Sequence, residues 1–302
     1  MTGKRGWRII ALISAIVFLL FAGSTFGSFT RDMLKKPDPG NKQMISLTDG
    51  SKIIGEIVEV TDTEIVFESG FGRMNIAIVN ISEIKEIPES SIKGGKYWFP
   101  NPNATRLFFA PNGKLLRKGQ GYLSNWYLFF PGMQYGVTNN FSIGGGFSIF
   151  PGLDFFNEQA LYLTPKVGFS PNENLDLALS ALIINVPAFG DDNDAPDFFG
   201  ILYGMGTMGS NDHNFTLGLG YGYADDEIAN KPVVILGGET RVSRRISLLG
   251  ESWILPEVDE PLLAYGARFY GEGLSVDLAF LTVIGEGGLF PGIPYVGFVY
   301  NF

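Results

Sequence analysis

From Ala104 to the C-terminus the chain runs in stretches of roughly 8 to 12 residues, in which apolar or aromatic side chains alternate with Gly, Ser, Thr and Asn. A period of two puts successive side chains on opposite faces of a strand, so each stretch has one greasy and one polar face. In FSIGGGFSIF, LYLTPKVGFS and LDLALSALIINV one face collects Phe141, Ile143, Phe147, Leu163, Val167, Phe169, Leu175, Leu177 and Leu179. Ser142, Gly144, Ser148, Thr164, Lys166, Asp176 and Ser180 make the other. NFTLGLGYGY and LLAYGARFY sort in the same way. A soluble sandwich of two sheets would also alternate, so the choice between it and a membrane barrel rests on connections and charge.

The connections alternate in length. Tight links at Asn139–Asn140, Pro171–Asn174, Gly209–Asp212, Ser243–Arg245 and Gly271–Gly273 interleave with longer ones at Pro151–Gln159, Pro187–Pro196, Asp225–Lys231, Pro256–Glu260 and Gly285–Pro291. Short turns at one end and long loops at the other are the habit of outer-membrane barrels. The long loops hold most of the acids, and hardly any charge falls on the apolar faces. Lys166, Asp176, Glu239, Arg241, Glu251, Arg268 and Asp277 all fall on the polar side. That segregation is expected where a charge at the bilayer midplane costs about 2–4 kcal/mol.

These links delimit eleven strands from Gln120 onward, and ATRLFFA (Ala104–Ala110) supplies a twelfth. Bacterial barrels take even numbers, so the expected fold is all-β: a transmembrane antiparallel up-and-down barrel of about 12 strands. The seven inward charges become lumen-lining candidates. They could border a narrow pore or pair to close a packed lumen, since Arg268 and Asp277 flank one turn, and Glu239, Arg241 and Glu251 surround the turn before it.

Upstream, Ile9 to Ala22 is an apolar run preceded by Lys4, Arg5 and Arg8 and followed by small residues. This reads as an export signal over residues 1–27, with an uncleaved anchor as the alternative. Its removal leaves 19 basic against 31 acidic residues and moves the formal charge from −9 to −12. So acidic an exported chain has no electrostatic case for nucleic acid. The absence of cysteine excludes disulfides, thiol catalysis and a lipoprotein anchor. A linker over 28–43 then leads to a block at 44–88 whose short β-branched runs are interrupted by TDG, TDT and SGFG turns. A second linker, 89–103, separates this block from the barrel at 104–302.

In the 44–88 block, Leu47, Asp49, Gly50, Ile53, Gly55 and Ile57 form the pattern L-x-DG-x-x-I-x-G-x-I, followed by a strand, a Gly turn, a strand and a closing ISEIKEI. The block resembles the Sm/SH3-like small barrels. The resemblance implies a fold, and RNA binding does not carry over to a block with this many acids. At the other end GFVYNF places Gly297, Tyr300 and Phe302 in a Gly-x-x-aromatic-x-Phe pattern. It resembles the C-terminal assembly signal of bacterial outer-membrane proteins, which implies barrel-assembly machinery as a partner. YGVTNNFSIGGGFS (Tyr135–Ser148) is similar to strand–turn–strand units of uncharacterised outer-membrane barrels of Bacteroidetes-like bacteria, which implies location and fold and no activity.

Candidate chemistry is sparse. His213 is the single histidine, and SNDHN sets Ser210 and Asp212 beside it, but it falls in a short turn, so no catalytic residue is assigned. DDNDAPD (Asp191–Asp197) has carboxylates that could attract Ca²⁺ yet lacks EF-hand spacing, and no metal or cofactor is assigned. Trp126, Tyr127, Phe130, Tyr203, Tyr221, Tyr223, Trp253, Tyr265, Tyr295 and Tyr300 lie near strand ends and suit interfacial girdles. The expected function is a pore or passive transporter of small solutes. The alternative is an interaction barrel whose periplasmic domain binds a protein partner or plugs the lumen. A hydrolase is disfavoured, and the expected surroundings are outer-membrane lipid with the 44–88 domain in the periplasm.

Overall fold

The computed structural model describes residues 31–153, 158–185, 198–225, 227–256, 258, 260–285 and 288–302. The export signal and the acidic 191–197 loop read from the sequence lie outside them. The chain forms two compact units that meet between Trp98 and Phe99.

In the first unit five strands, β1 (Asn41–Leu47), β2 (Lys52–Val60), β3 (Glu64–Ser69), β4 (Gly72–Ala77) and β5 (Ile81–Pro88), form an antiparallel sheet in the order β4-β3-β2-β1-β5. Alternation in these strands sends Ile45, Ile57, Ile65 and Phe67 into a common core with Leu34, Ile76 and Ile81. Register shifts between Ser46 and Leu47 and between Ile57 and Glu59 mark bulges, which increase local twist. Because β1 begins at Asn41, the sheet takes in three residues that the sequence reading assigned to the first linker. Part of the second linker is also ordered: β6 (Ile92–Lys93) and β7 (Lys96–Tyr97) form a short ladder.

The second unit is a closed antiparallel barrel. Its strands are β8 (Gly121–Trp126), β9 (Phe130–Gly136), β10 (Phe141–Phe147), β11 (Leu161–Leu163), β12 (Lys166–Asn172), β13 (Leu175–Asn185), β14 (Phe199–Gly209), β15 (His213–Ala224), β16 (Glu227–Ile228), β17 (Val233–Ser243), β18 (Ile246–Ile254), β19 (Leu262–Tyr270), β20 (Leu274–Val283) and β21 (Ile293–Asn301). Of these fourteen segments, β11 and β12 are halves of one wall strand interrupted at Thr164 and Pro165, and β16 only extends the ladder of β15. Twelve wall strands remain. The last closes on the first, with pairs running from Gly297 opposite Trp126 to Asn301 opposite Tyr122.

The total agrees with the sequence reading, but the composition of the wall does not. The stretch taken as one strand after Gln120 is a hairpin, β8 and β9, turning through Tyr127 and Leu128 at φ 52° and 66°. Left-handed turns normally call for Gly, Asn or Asp, so WYLFF carries no local signal for one. Ala104–Ala110 is correspondingly not a wall strand; it lies inside the barrel.

The two faces sort as alternation requires. Along β15 the outward Phe215, Leu217, Leu219 and Tyr221 are exposed, while the inward Thr216 is buried and shares a 2.8 Å hydrogen bond with the equally buried Thr207 of β14.

Candidate functional site in the barrel lumen

Residues 99–120 form a re-entrant hairpin within the barrel. It enters beside the short turns, where Phe99 meets the Arg241 guanidinium and packs edge-on against Tyr270. It turns at Leu107–Ala110, closed by a 2.8 Å bond from the Leu107 N–H to the Ala110 carbonyl and by a bridge between Arg106 and Pro111. It then descends to Gly119, whose N–H donates to the Gly136 carbonyl, and joins β8. The tip is apolar and finds apolar wall. Leu107 and Ala110 pack with Tyr203, Met205, Val233 and Ile235, and Phe108 packs with Leu249, Ala264, Ala279 and Tyr295.

A buried irregular backbone must find partners for its N–H and C=O groups outside any sheet ladder. Here wall side chains provide them. Arg268 on β19 donates to the carbonyls of Asn103 (2.8 Å), Arg106 (3.3 Å) and Leu107 (2.9 Å). The same guanidinium is held by Asp277 on β20, at 2.7 and 3.0 Å, and by Glu239 on β17 at 3.0 Å. Glu251 on β18 accepts from the N–H groups of Phe108 (2.7 Å), Phe109 (3.0 Å) and Ala110 (2.9 Å), and from the Trp253 indole at 2.5 Å. One cation thus takes the carbonyls of the ascending arm, and one carboxylate takes the N–H groups at the tip.

The remaining lumen candidates hold the two arms. Asp176 pairs with the Lys114 ammonium at 2.9 Å, and that ammonium also donates to the Gly209 carbonyl. The Lys166 ammonium donates to the carbonyls of Thr105 and Lys114. Arg241 binds the Phe99 carbonyl and Asp212, each at 2.9 Å, and Glu239 accepts from the Asn101 amide at 2.8 Å. Gly113 lies so close to the wall that a Cβ there would come within 2.9 Å of the Thr207 nitrogen. All seven predicted lumen residues therefore converge on one object, the hairpin.

The partners on the hairpin, Asn101, Asn103, Arg106 and Lys114, were not read from the sequence as functional. The run Leu107-Phe108-Phe109 gave no distinguishing signal, because wall strands β13 and β17 carry similar runs at Leu182–Ile184 and Val233–Leu236.

At the closing strand, Gly297 faces inward beneath the Tyr295 ring, and a Cβ there would lie 2.6 Å from the Tyr295 hydroxyl. Tyr300 and Phe302 lie on the outward side, and Phe302 is 56% exposed. Phe302 remains paired to its last backbone group: its N–H donates to Gly121 at 3.0 Å and its carbonyl accepts from Gly121 at 3.3 Å.

Trp126, Tyr203, Trp253 and Tyr295, all assigned to girdles, point inward instead, Trp253 with its indole on Glu251. Tyr203 and Tyr295 are buried, and Trp126 stacks on Tyr162 inside the barrel. Tyr203 shares the inward phase of Met205 and Thr207, which fixes its direction more firmly than nearness to a strand end. His213 is exposed at the start of β15, with Nδ1 2.8 Å from the Thr240 hydroxyl, while its neighbour Asp212 is engaged by Arg241. No group of three or more metal-ligating side chains occurs among the described residues.

No family model and no curated protein matches the chain. Among solved structures, outer-membrane expressed OmpT of Vibrio cholerae is 13% identical, covering 87% of this chain and 95% of its own, with a TM-score of 0.30. OmpF of Salmonella typhi, in complex with daunomycin, is 9% identical over 87% and 95% of the two chains, with a TM-score of 0.33. OprD of Pseudomonas aeruginosa is 9% identical over 87% and 92%, also at 0.33. Superposition of that quality assigns no activity, and the barrel stands on its own hydrogen-bonded ladder.

Proposed function

We propose that the chain is an outer-membrane barrel whose lumen is held closed by its own hairpin, forming a gated passage for small solutes rather than an open passive pore. The observation that carries this reading is the clamp of Arg268 and Glu251 on the hairpin backbone. A membrane setting is supported by strands of 9 to 12 residues from β13 to β21, β16 apart, close to the length that crosses a bilayer at a tilt. It is supported also by the apolar outer face, where Leu202, Phe215, Leu217, Leu219 and Leu278 are about half exposed in the isolated chain. Assembly machinery is the partner that Gly297, Tyr300 and Phe302 would engage. The export signal and the periplasmic location of the first unit belong to the same reading, because the hairpin enters among the short turns.

A second reading, an anchored interaction barrel, is favoured by the first unit. The strand order β4-β3-β2-β1-β5 supports an Sm/SH3-like domain, and Phe71 and Val79, beyond opposite ends of β4 and 97% and 82% exposed, are separate apolar contact points open to a protein partner. An enzymatic role has no support from His213, which is exposed and lacks a free acidic neighbour. Planar-bilayer recording separates the two readings. A gated passage gives no steady current from the intact chain and discrete openings once Arg268 or Glu251 is replaced. An anchored interaction barrel stays silent in every form.

A further inference from the structure

Beside the ascending arm of the hairpin lies a cavity of about 180 Å³, bounded by β8, β9, β10, β13 and their neighbours. Its upper wall includes Trp126, Leu182 and Trp253, close to the long-loop ends of their strands, and Ser142, Lys166 and Ser180 lie deeper. Among the described residues the charged ones bordering it are Arg106 and Lys166, with no Asp or Glu. Both cations are buried, at 3% and 5% exposure.

The polar groups facing this space are rich in donors. Nε, Nη1 and Nη2 of Arg106 and the Trp126 indole nitrogen are buried with no hydrogen-bond acceptor among the described residues. Arg106 has a 3.5 Å charge contact with Asp277, a carboxylate already held in two hydrogen bonds by Arg268, and its guanidinium lies 5.3 Å from the centre of the Trp126 ring. Lys166 directs its ammonium to two backbone carbonyls and forms no ion pair among the described residues. A buried guanidinium with donors left over is costly unless a charged acceptor completes it. The rest of the wall is largely aromatic or apolar, with Trp126 and Tyr162 stacked at 5.8 Å.

We propose that this cavity is a binding site for a small organic monocarboxylate with an aromatic or branched apolar body. The carboxylate accepts from Arg106 and the Trp126 indole, with Lys166 supplying a second positive charge, and the apolar body lies along the aromatic wall. A planar carboxylate matches the forked donors of an arginine. The volume corresponds to about six waters, which admits a single-ring acid and excludes drug-sized ligands. A dianion would demand more charge compensation than one guanidinium and one ammonium give in so apolar a space. The site belongs to the folded barrel with its hairpin and stands whether or not the lumen conducts.

The test uses the full chain folded in detergent, with three probes of matched size: benzoate, benzyl alcohol and benzylamine. Binding is followed by tryptophan fluorescence, since Trp126 and Trp253 line the cavity, and by the midpoint of thermal unfolding. Benzoate is expected to bind saturably and at least tenfold more tightly than benzyl alcohol, and benzylamine not at all. Arg106→Met is expected to remove the preference for benzoate while retaining binding of benzyl alcohol. Ser124→Leu, which fills the cavity and keeps both cations, is expected to abolish binding of both. Equal affinities for benzoate and benzyl alcohol in the unmodified chain would overturn the proposal without recourse to any variant. Unchanged benzoate affinity in folded Arg106→Met or Ser124→Leu protein would overturn it as well.

Discussion

Arg268 and Glu251 grip the same stretch of internal backbone by its opposite polarities: the guanidinium takes the carbonyls of Asn103, Arg106 and Leu107, and the carboxylate takes the N–H groups of Phe108, Phe109 and Ala110. Neither residue acts alone, because Arg268 is also the counter-charge of Asp277 and Glu239. Charged groups of both signs thereby find partners on the hairpin and the wall, and irregular chain is held at a depth where a sheet ladder cannot reach it.

Removing Arg268 should be more damaging than neutralising Glu251. Arg268→Met leaves two buried carboxylates without their principal partner, a loss of about 3–5 kcal/mol. Glu251→Gln keeps shape and one acceptor oxygen, for a loss of about 1–3 kcal/mol. The temperature at which the folded, fast-migrating band converts to the unfolded one on gels is expected to fall in the order intact, Glu251→Gln, Arg268→Met. An Arg268→Met barrel as heat-resistant as the intact chain would show that the clamp contributes little.

Gly113 should tolerate no side chain, since a Cβ would collide with the wall backbone at Thr207. Gly113→Val is expected to displace the descending arm and expose Lys114, which is buried against Asp176. Trypsin applied to folded protein should then cut after Lys114 in the variant and spare it in the intact chain. Equal protection in both would contradict the close approach.

Most of the wall could be read in the sequence because alternation is a property of each strand by itself. The inward phase of Lys166, Asp176, Glu239, Arg241, Glu251, Arg268 and Asp277 follows from counting in twos. What those residues touch could not be read that way. Their partners lie on a hairpin 52 to 171 positions away in the chain, and nothing local to Arg268 signals Asn103. The turn at Tyr127–Leu128 escaped for the opposite reason: its left-handed backbone is imposed by barrel closure on residues that do not favour it.

Phe302 should matter to assembly. Its backbone pairs with Gly121 and its side chain lies on the outer face. Phe302→Ser, or a short extension beyond it, is expected to lower the folded fraction in outer-membrane preparations several-fold. Normal yields from both variants would reduce the C-terminal pattern to coincidence.

The first unit should weaken in acid. A hydrogen bond from the Ser51 N–H holds Asp49 below the usual carboxylate range, and the Asn41 side chain and the Asp38 N–H do the same for Glu86. A depressed carboxylate stabilises the fold above its unfolded pKa of about 4, and that contribution is lost as pH falls through the lower folded value. Lys42 has the opposite sign. Its bond to Glu56 raises it, so its contribution persists below about pH 10 and disappears as pH rises through the folded value. Amide spectra of β1 and β5 in the full chain should change between pH 5 and 3, and less so in Glu86→Gln. A pH response unaltered by that substitution would remove Glu86 as a cause.

Occupancy of the lumen by residues 99–120 is the central claim, and a chain without cysteine allows it to be tested at single positions. Ala110→Cys places a thiol at a site with no solvent exposure inside the barrel, and Phe71→Cys places one at a site 97% exposed on the first unit. Labelling with a polymer-linked maleimide should modify the folded Phe71→Cys protein rapidly and the Ala110→Cys protein only after boiling. Equal labelling rates at both positions in folded protein would contradict a closed lumen.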